Sequence, residues 1–216
     1  MAASYASMPT DPAIAVQGFI LGFSIAASVG PIALLVIRRT LAEGRTVGLV
    51  SGMGVATADG TYGAIAAFGL TAVTDLLVDW RRALALIGGT FLLWVAWRTF
   101  SAVPPTDPDE LETPARGLPG AYLSTLALTL TNPMTILSFA ALFIGLGVTG
   151  EDAASATVLT AGVFAGSACW WVVLTAVIAH FRSRVTPRAL RWVNVGSGLI
   201  IGAFAVLAIG AAIVAG

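Results

Sequence analysis

One carboxylic acid stands where a membrane-crossing helix would bury it deepest. Asp59 lies near the middle of the apolar stretch 47–70, and an acid at that depth is costly unless it is paired, protonated or hydrated. No arginine falls within the interior of an apolar stretch to neutralise it. Asp59 is therefore a candidate proton carrier or partner for a cationic group on a solute. The plainer alternative is a neutral acid hydrogen-bonded across helices. Tyr62 follows at i+3 on the same helical face. Its hydroxyl either orients the carboxyl or a solute, or makes an interhelical hydrogen bond.

Two prolines carry a second kind of chemistry. Proline in a helix removes an amide donor and frees the carbonyl one turn earlier, and in lipid those groups need a protein partner or a wet cavity. Ser28-Val29-Gly30-Pro31 and Thr131-Asn132-Pro133 each set a small or polar residue before the break, about halfway along an apolar stretch. A freed carbonyl suits an ammonium, and the N-terminus of a half-helix suits a carboxylate. Ser28, Gly30, Pro31, Asn132 and Pro133 are thus candidate binding positions, against the bland reading of two packing kinks. Thr129, Thr131 and Thr135 make the second break polar, although such hydroxyls often bond back to their own helix. Trp170 and Trp171 sit within a span rather than at its ends, where one ring faces a cavity or both pack against lipid. Asn194 reads as a cap or packing residue.

The elements that position these groups follow from composition. Of 216 residues, 57% are hydrophobic and only 10% charged, with a mean hydropathy of +0.92. A soluble domain carries about 25% charged residues, so a water-soluble globule is excluded. Six apolar blocks stand out, at 13–37, 47–70, 83–100, 118–148, 156–179 and 190–214. Each is close to or beyond the roughly 20 residues that cross a bilayer. The fourth is longer than one straight span needs, so it is tilted, broken or partly interfacial. The first twelve residues contain no basic residue, so no secretory signal is read there and the first block counts as a span.

Charge placement gives an orientation. All 11 basic residues are arginine. With six spans, Arg38, Arg39, Arg45, Arg98, Arg116, Arg182, Arg184, Arg188 and Arg191 share one side, and Arg81 and Arg82 the other. The positive-inside rule then puts the arginine-rich loops in the cytoplasm and both termini outside. Because these arginines match topology and spread over three loops, nucleic-acid binding has no support. The absence of lysine excludes a phosphate-loop ATPase and a Schiff-base enzyme within this chain. One cysteine, Cys169, and one histidine, His180, give no basis for a disulfide or a metal centre. Neither a catalytic constellation nor a cofactor is expected.

The two halves resemble each other. Besides the paired prolines, Gly52 precedes Asp59 by the same seven residues that separate Gly162 from Cys169. Residues 82–84 and 188–190 both read Arg-Ala-Leu. Three spans per copy is an odd number, so the second copy enters the membrane inverted, a pattern of secondary transporters with a site between the breaks. The expected organisation is a three-helix repeat at 1–100, a flexible proline- and acid-rich cytoplasmic linker at 101–117, and a second repeat at 118–216. Gly18 with Gly22, Gly162 with Gly166 and Gly198 with Gly202 allow close helix approach. They serve either the chain's own bundle or a homodimer.

Taken in order, Gly30-Pro31, Ile37-Arg-Arg-Thr-Leu-Ala-Glu-Gly-Arg45, Ser51-Gly-Met-Gly-Val-Ala-Thr-Ala-Asp59, Leu92-Leu-Trp-Val-Ala-Trp-Arg98 and Leu130-Thr-Asn-Pro-Met134 resemble the lysine-exporter family of amino-acid efflux transporters. The resemblance spans nearly the whole chain. It implies a six-helix, bacterial-type inner-membrane protein exporting amino acids or related small zwitterions, with protons in exchange. Its motif positions fall on Gly30, Pro31, Gly52, Asp59, Asn132 and Pro133. Two departures stand out: Val29 where members often have proline, and Met134 where they often have lysine. Lysine is therefore not carried over as the substrate. The expected fold is an all-α integral membrane protein of about six transmembrane helices, in two inverted repeats with broken helices in spans one and four. Export of metal or inorganic ions, export of neutral metabolites, and a non-transporting membrane role stand as alternatives.

Overall fold

The computed structural model describes residues 12–28, 30–68, 79–101, 117–132, 135–136, 138–139 and 153–214. Among them all regular structure is helical. Seven helices follow in chain order: α1 (Pro12–Ala26), α2 (Pro31–Glu43), α3 (Arg45–Ala67), α4 (Arg81–Phe100), α5 (Gly117–Leu130), α6 (Ala153–Arg182) and α7 (Pro187–Val214). Helical backbone also resumes at 135–136 and 138–139, beyond α5. Proline opens α1, α2 and α7, where its missing amide costs nothing. Thr186 caps α7 by accepting the Ala189 amide at 3.2 Å.

The first apolar block is broken. α1 and α2 meet at 79°, with α2 beginning at Pro31. The charged stretch 38–45, read from sequence as a loop, is helix as far as Glu43. Gly44 alone separates α2 from α3, and its φ of 96° lies in the left-handed region that glycine enters without strain. The reason is amphipathic spacing. Arg39 lies four residues beyond Leu35 and three beyond Val36, both buried, so it continues their face into the protein. Arg182, at the end of α6, donates its Nε–H to the Leu41 carbonyl at 3.0 Å, satisfying one of the exposed carbonyls of the last turn of α2.

α3 is the hub. It packs on α6 and α5 and also touches α1 and α2, while α1 packs on α6 and α4 on α7. By length and composition α4, α6 and α7 can each cross a membrane, and the bent α1–α2 pair would make a fourth span. α3 is long enough at about 35 Å but not sufficiently apolar. Its Ser51 and Asp59 are buried by neighbouring helices rather than facing outward. α5, at about 21 Å, is shorter than the roughly 30 Å hydrocarbon core. The rest of its block, from 140 to 148, lies outside the described residues, as does most of the proposed linker.

α1 and α6 are joined through glycine. Gly18 and Gly22 face Gly162 and Gly166 within the one chain. A Cβ on Gly22 would lie 2.7 Å from the Val163 carbonyl carbon and 2.8 Å from its Cα. No side chain fits against backbone at that range, so this close approach of α1 to α6 exists only because Gly22 lacks one. Gly22→Val should destabilise the fold by about 1–3 kcal/mol, whereas Ala165→Val, on the exposed side of α6, should be neutral. Thermal unfolding of both variants in detergent, followed by size-exclusion chromatography, measures the difference.

Candidate functional site

A proline that cuts a helix leaves the following turn to restart on whatever carbonyl precedes it. Both breaks in this chain restart in the same way. The Leu34 amide bonds the Gly30 carbonyl at 3.2 Å, and the Ile136 amide bonds the Asn132 carbonyl at 3.2 Å. In each case the acceptor belongs to the residue immediately ahead of proline. The ends of the preceding half-helices match too, tightening to i−3 bonds from Ser28 to Ile25 and from Asn132 to Thr129, each 3.2 Å.

The breaks open onto one cavity of about 270 Å³. Ser28, Gly30 and Pro31 line it from the first break, and Thr129, Thr131, Asn132, Thr135 and Ser138 from the second. α3 adds Asp59 and Val55, α6 adds Trp171, α4 adds Gly88, Gly89 and Leu92, and α7 adds Phe204 and Ala208. Asp59 is the one ionisable side chain among the described lining residues, and it is 1% exposed. Its Oδ2 accepts the Ser167 hydroxyl of α6 at 2.7 Å.

The α3–α6 contact sets this geometry. Gly52 and Asp59 lie two turns apart on one face of α3, and Trp171 and Ser167 one turn apart on the facing side of α6. The helices run antiparallel, so Gly52 meets Trp171 where Asp59 meets Ser167. A Cβ on Gly52 would sit 2.5 Å from Trp171 Cβ and 2.8 Å from its Cγ. Gly52 thus seats the indole that walls the cavity and does not itself line it.

Other sequence candidates separate. Tyr62 donates its hydroxyl to the Leu130 carbonyl at 2.6 Å rather than to Asp59, and it is not among the cavity-lining residues. That carbonyl ends α5, so the tyrosine satisfies a group freed by the break. Pro133 lies outside the described residues. The hydroxyls of Ser28, Thr129 and Thr131 bond back to carbonyls of their own helices at 2.7, 2.8 and 2.8 Å. Trp170 does not line the cavity; its ring packs edge-on against Phe23 at 5.3 Å. Asn194 accepts the Arg38 Nε–H at 3.1 Å. Among the described residues no three His, Cys, Asp or Glu side chains gather where they could hold a metal ion.

Two residues matter here that sequence reasoning passed over. Ser167, the donor to Asp59, directly follows Gly166 in the sequence, and its own spacing does not single it out. Arg39, counted as a loop charge, is 5% exposed. It donates to Ser51 Oγ at 2.8 Å, to the Ala121 carbonyl at 3.0 Å and to Ser124 Oγ at 2.9 Å. One guanidinium thus ties α2 to α3 and α5, a fork that a lysine ammonium does not reproduce. Its signal in the sequence is its spacing from Leu35 and Val36.

The family profile of LysE type translocators matches residues 23–211. Over 174 residues the chain is 28% identical to YahN, an uncharacterised membrane protein of Escherichia coli (strain K12), covering 79% of this chain and 78% of that one. No solved structure matches the chain.

Removing the Arg39 fork leaves buried hydroxyls and carbonyls without their strongest donor. Arg39→Met should destabilise the protein by about 2–3 kcal/mol, with Arg39→Lys falling between it and the wild type. Thermal denaturation of the three proteins in one detergent gives the order.

Proposed function

The chain belongs to the LysE type translocator family, and from that membership we propose that it is a proton-coupled secondary transporter exporting amino acids or related small zwitterions. The observation that carries this reading is the convergence of two helix breaks and one buried acid on a single small cavity. At about 270 Å³ it lies just below the roughly 300–1,000 Å³ of pockets for drug-sized ligands, a size suited to a small metabolite. Half-helix carbonyl ends favour an ammonium and half-helix amide ends a carboxylate, so paired breaks suit a solute carrying both. Asp59 is the proton carrier in this scheme. Ser167 holds its carboxyl in place, and no arginine or histidine is found among the described residues lining the cavity.

The packing supports the inverted-repeat organisation, with repeats at 1–100 and 118–216 joined by 101–117. Exchanging the halves pairs α1 with α5, α3 with α6 and α4 with α7. The contact of α1 on α6 then becomes that of α5 on α3, while α3–α6 and α4–α7 map onto themselves. Each first helix thus packs on the second helix of the other half, and the six-span arrangement follows if the block after Asn132 completes its crossing. With the arginine-rich ends in the cytoplasm, both termini lie outside a bacterial-type inner membrane.

Counterflow of a labelled amino-acid mixture into preloaded proteoliposomes tests the reading. Wild-type protein should accumulate one or a few species. Asp59→Asn should keep solute exchange while losing accumulation driven by a pH gradient. Failure of folded wild-type protein to exchange any amino acid would sink the substrate class. Intact pH-driven accumulation in the variant would remove Asp59 from coupling.

A further inference from the structure

A guanidinium reaches several acceptors at once, so one arginine can bridge a gap that two helix backbones leave between them. α2 and α5 are short helices that end at the same cavity. α2 starts there, with Pro31 and Ile32 in the lining, and α5 finishes there, with Leu128 and Thr129. They run antiparallel away from it. Two turns on, about 10 Å along each helix, Arg39 of α2 meets Ala121 of α5. Its guanidinium crosses the seam twice, donating to the Ala121 carbonyl at 3.0 Å and to Ser124 Oγ at 2.9 Å.

This seam differs from the interfaces beside it. α2 lies close on α3, with Thr40 seated against Gly48. α5 lies close on α3 as well, since a Cβ on Gly54 would come 3.1 Å from the Leu126 nitrogen. Thr125 adds a hydroxyl bond to the Ser51 carbonyl at 2.6 Å, and Tyr122 one to Thr57 Oγ1 at 2.8 Å. α2 and α5 approach each other less than either approaches α3. Polar side-chain bonds, rather than close backbone approach, join them across the seam. Release of Arg39 from α5 therefore parts one seam and leaves both of its walls anchored on α3.

We infer that the α2–α5 seam is the solute's route between the arginine-rich face and the cavity, and that Arg39 is the gate residue that closes it. The inference rests on the transporter reading above and adds the path by which the cavity is reached. Export demands such a path on the cytoplasmic side, where the proposed orientation places Arg39. In this structure buried Leu35 and Val36 of α2 and Thr125 of α5 fill the length between cavity and fork. Arginine stays charged, so on opening it exchanges its acceptors on α5 for water and keeps the seam wet.

Ser51 supplies an internal control. Arg39 also donates to its Oγ at 2.8 Å, a bond within the α2–α3 pair that does not cross the seam. Ser124→Ala and Ser51→Ala thus each delete one acceptor of the same guanidinium, one on the seam and one off it.

The experiment labels one cysteine from one side. In a Cys169→Ser background, Ala33→Cys places the sole thiol in the cavity lining on α2. Its modification by a small, charged, membrane-impermeant methanethiosulfonate is timed in inside-out vesicles, which present the cytoplasmic face. Ser124→Ala should speed modification about threefold and Arg39→Met about tenfold, in keeping with loss of one and of several hydrogen bonds to a charged donor. Ser51→Ala should leave the rate unchanged, and no variant should change it in right-side-out vesicles. Ser124→Ala decides the matter if Arg39→Met does not fold. Equal rates in Ser124→Ala and Ser51→Ala would make the fork a plain staple and overturn the assignment, as would equal acceleration from both faces. Counterflow on the same proteins keeps this separate from the export reading. Amino-acid exchange without the Ser124→Ala acceleration removes the gate and leaves export standing. Acceleration without amino-acid exchange keeps the gate and sinks the substrate class.

Discussion

A helix cut inside hydrocarbon exposes amides and carbonyls that no solvent is present to satisfy, and the rest of this structure depends on how two such cuts are answered. Both come immediately ahead of a proline, and both are answered from within the protein. At the first, the amide and hydroxyl of Ser28 both bond the Ile25 carbonyl. At the second, the Asn132 amide bonds the Thr129 carbonyl, and Tyr62 reaches across from α3 to the Leu130 carbonyl. The space between the cuts is the cavity. The cavity and the structural defect are here the same feature, because irregular backbone with freed polar groups persists only where protein surrounds it.

The same constraint governs the polar side chains. Asp59 is buried against a serine hydroxyl. Arg39 divides its guanidinium among two hydroxyls and a carbonyl. Each ties α3 to a different neighbour: α6 through Asp59, and α2 through Arg39. The glycines do complementary work. Gly18, Gly22, Gly162 and Gly166 bring α1 and α6 into backbone contact, and Gly52 makes room for Trp171. Close packing brings the helices together, and hydrogen bonds fix their register. α3 takes part in both, which is why a helix too polar to pass as a membrane span by itself lies at the centre.

Much of the architecture was legible beforehand. The all-helical class follows from 57% hydrophobic residues arranged in long blocks, because in lipid a helix satisfies its own backbone. The break at Gly30-Pro31 follows from proline's missing amide. The six blocks read from sequence correspond to three helices, or four with the bent α1–α2 pair, that can cross a membrane by length and composition: α3 carries polar residues that its neighbours bury, and α5 is short. The turn between α2 and α3 was misread because adjacent arginines were taken for a solvated loop, when periodicity places Arg39 on the buried face.

What the sequence by itself determined is local: helical blocks, breaks at prolines, glycine stripes and the presence of one acid at depth. These depend on groups within about a turn of one another, so order along the chain is enough to read them. Only the tertiary structure decided which of them meet. It gathered Ser28, Gly30, Pro31, Asp59 and Asn132 around one cavity. It also turned Tyr62 toward a carbonyl at the second break, set Gly52 beneath an indole, and gave Asp59 its partner 108 residues away. The physical reason is that a side chain's partner across a helix interface depends on interaxial packing and register. Those are set jointly by both helices, and neither segment encodes them alone.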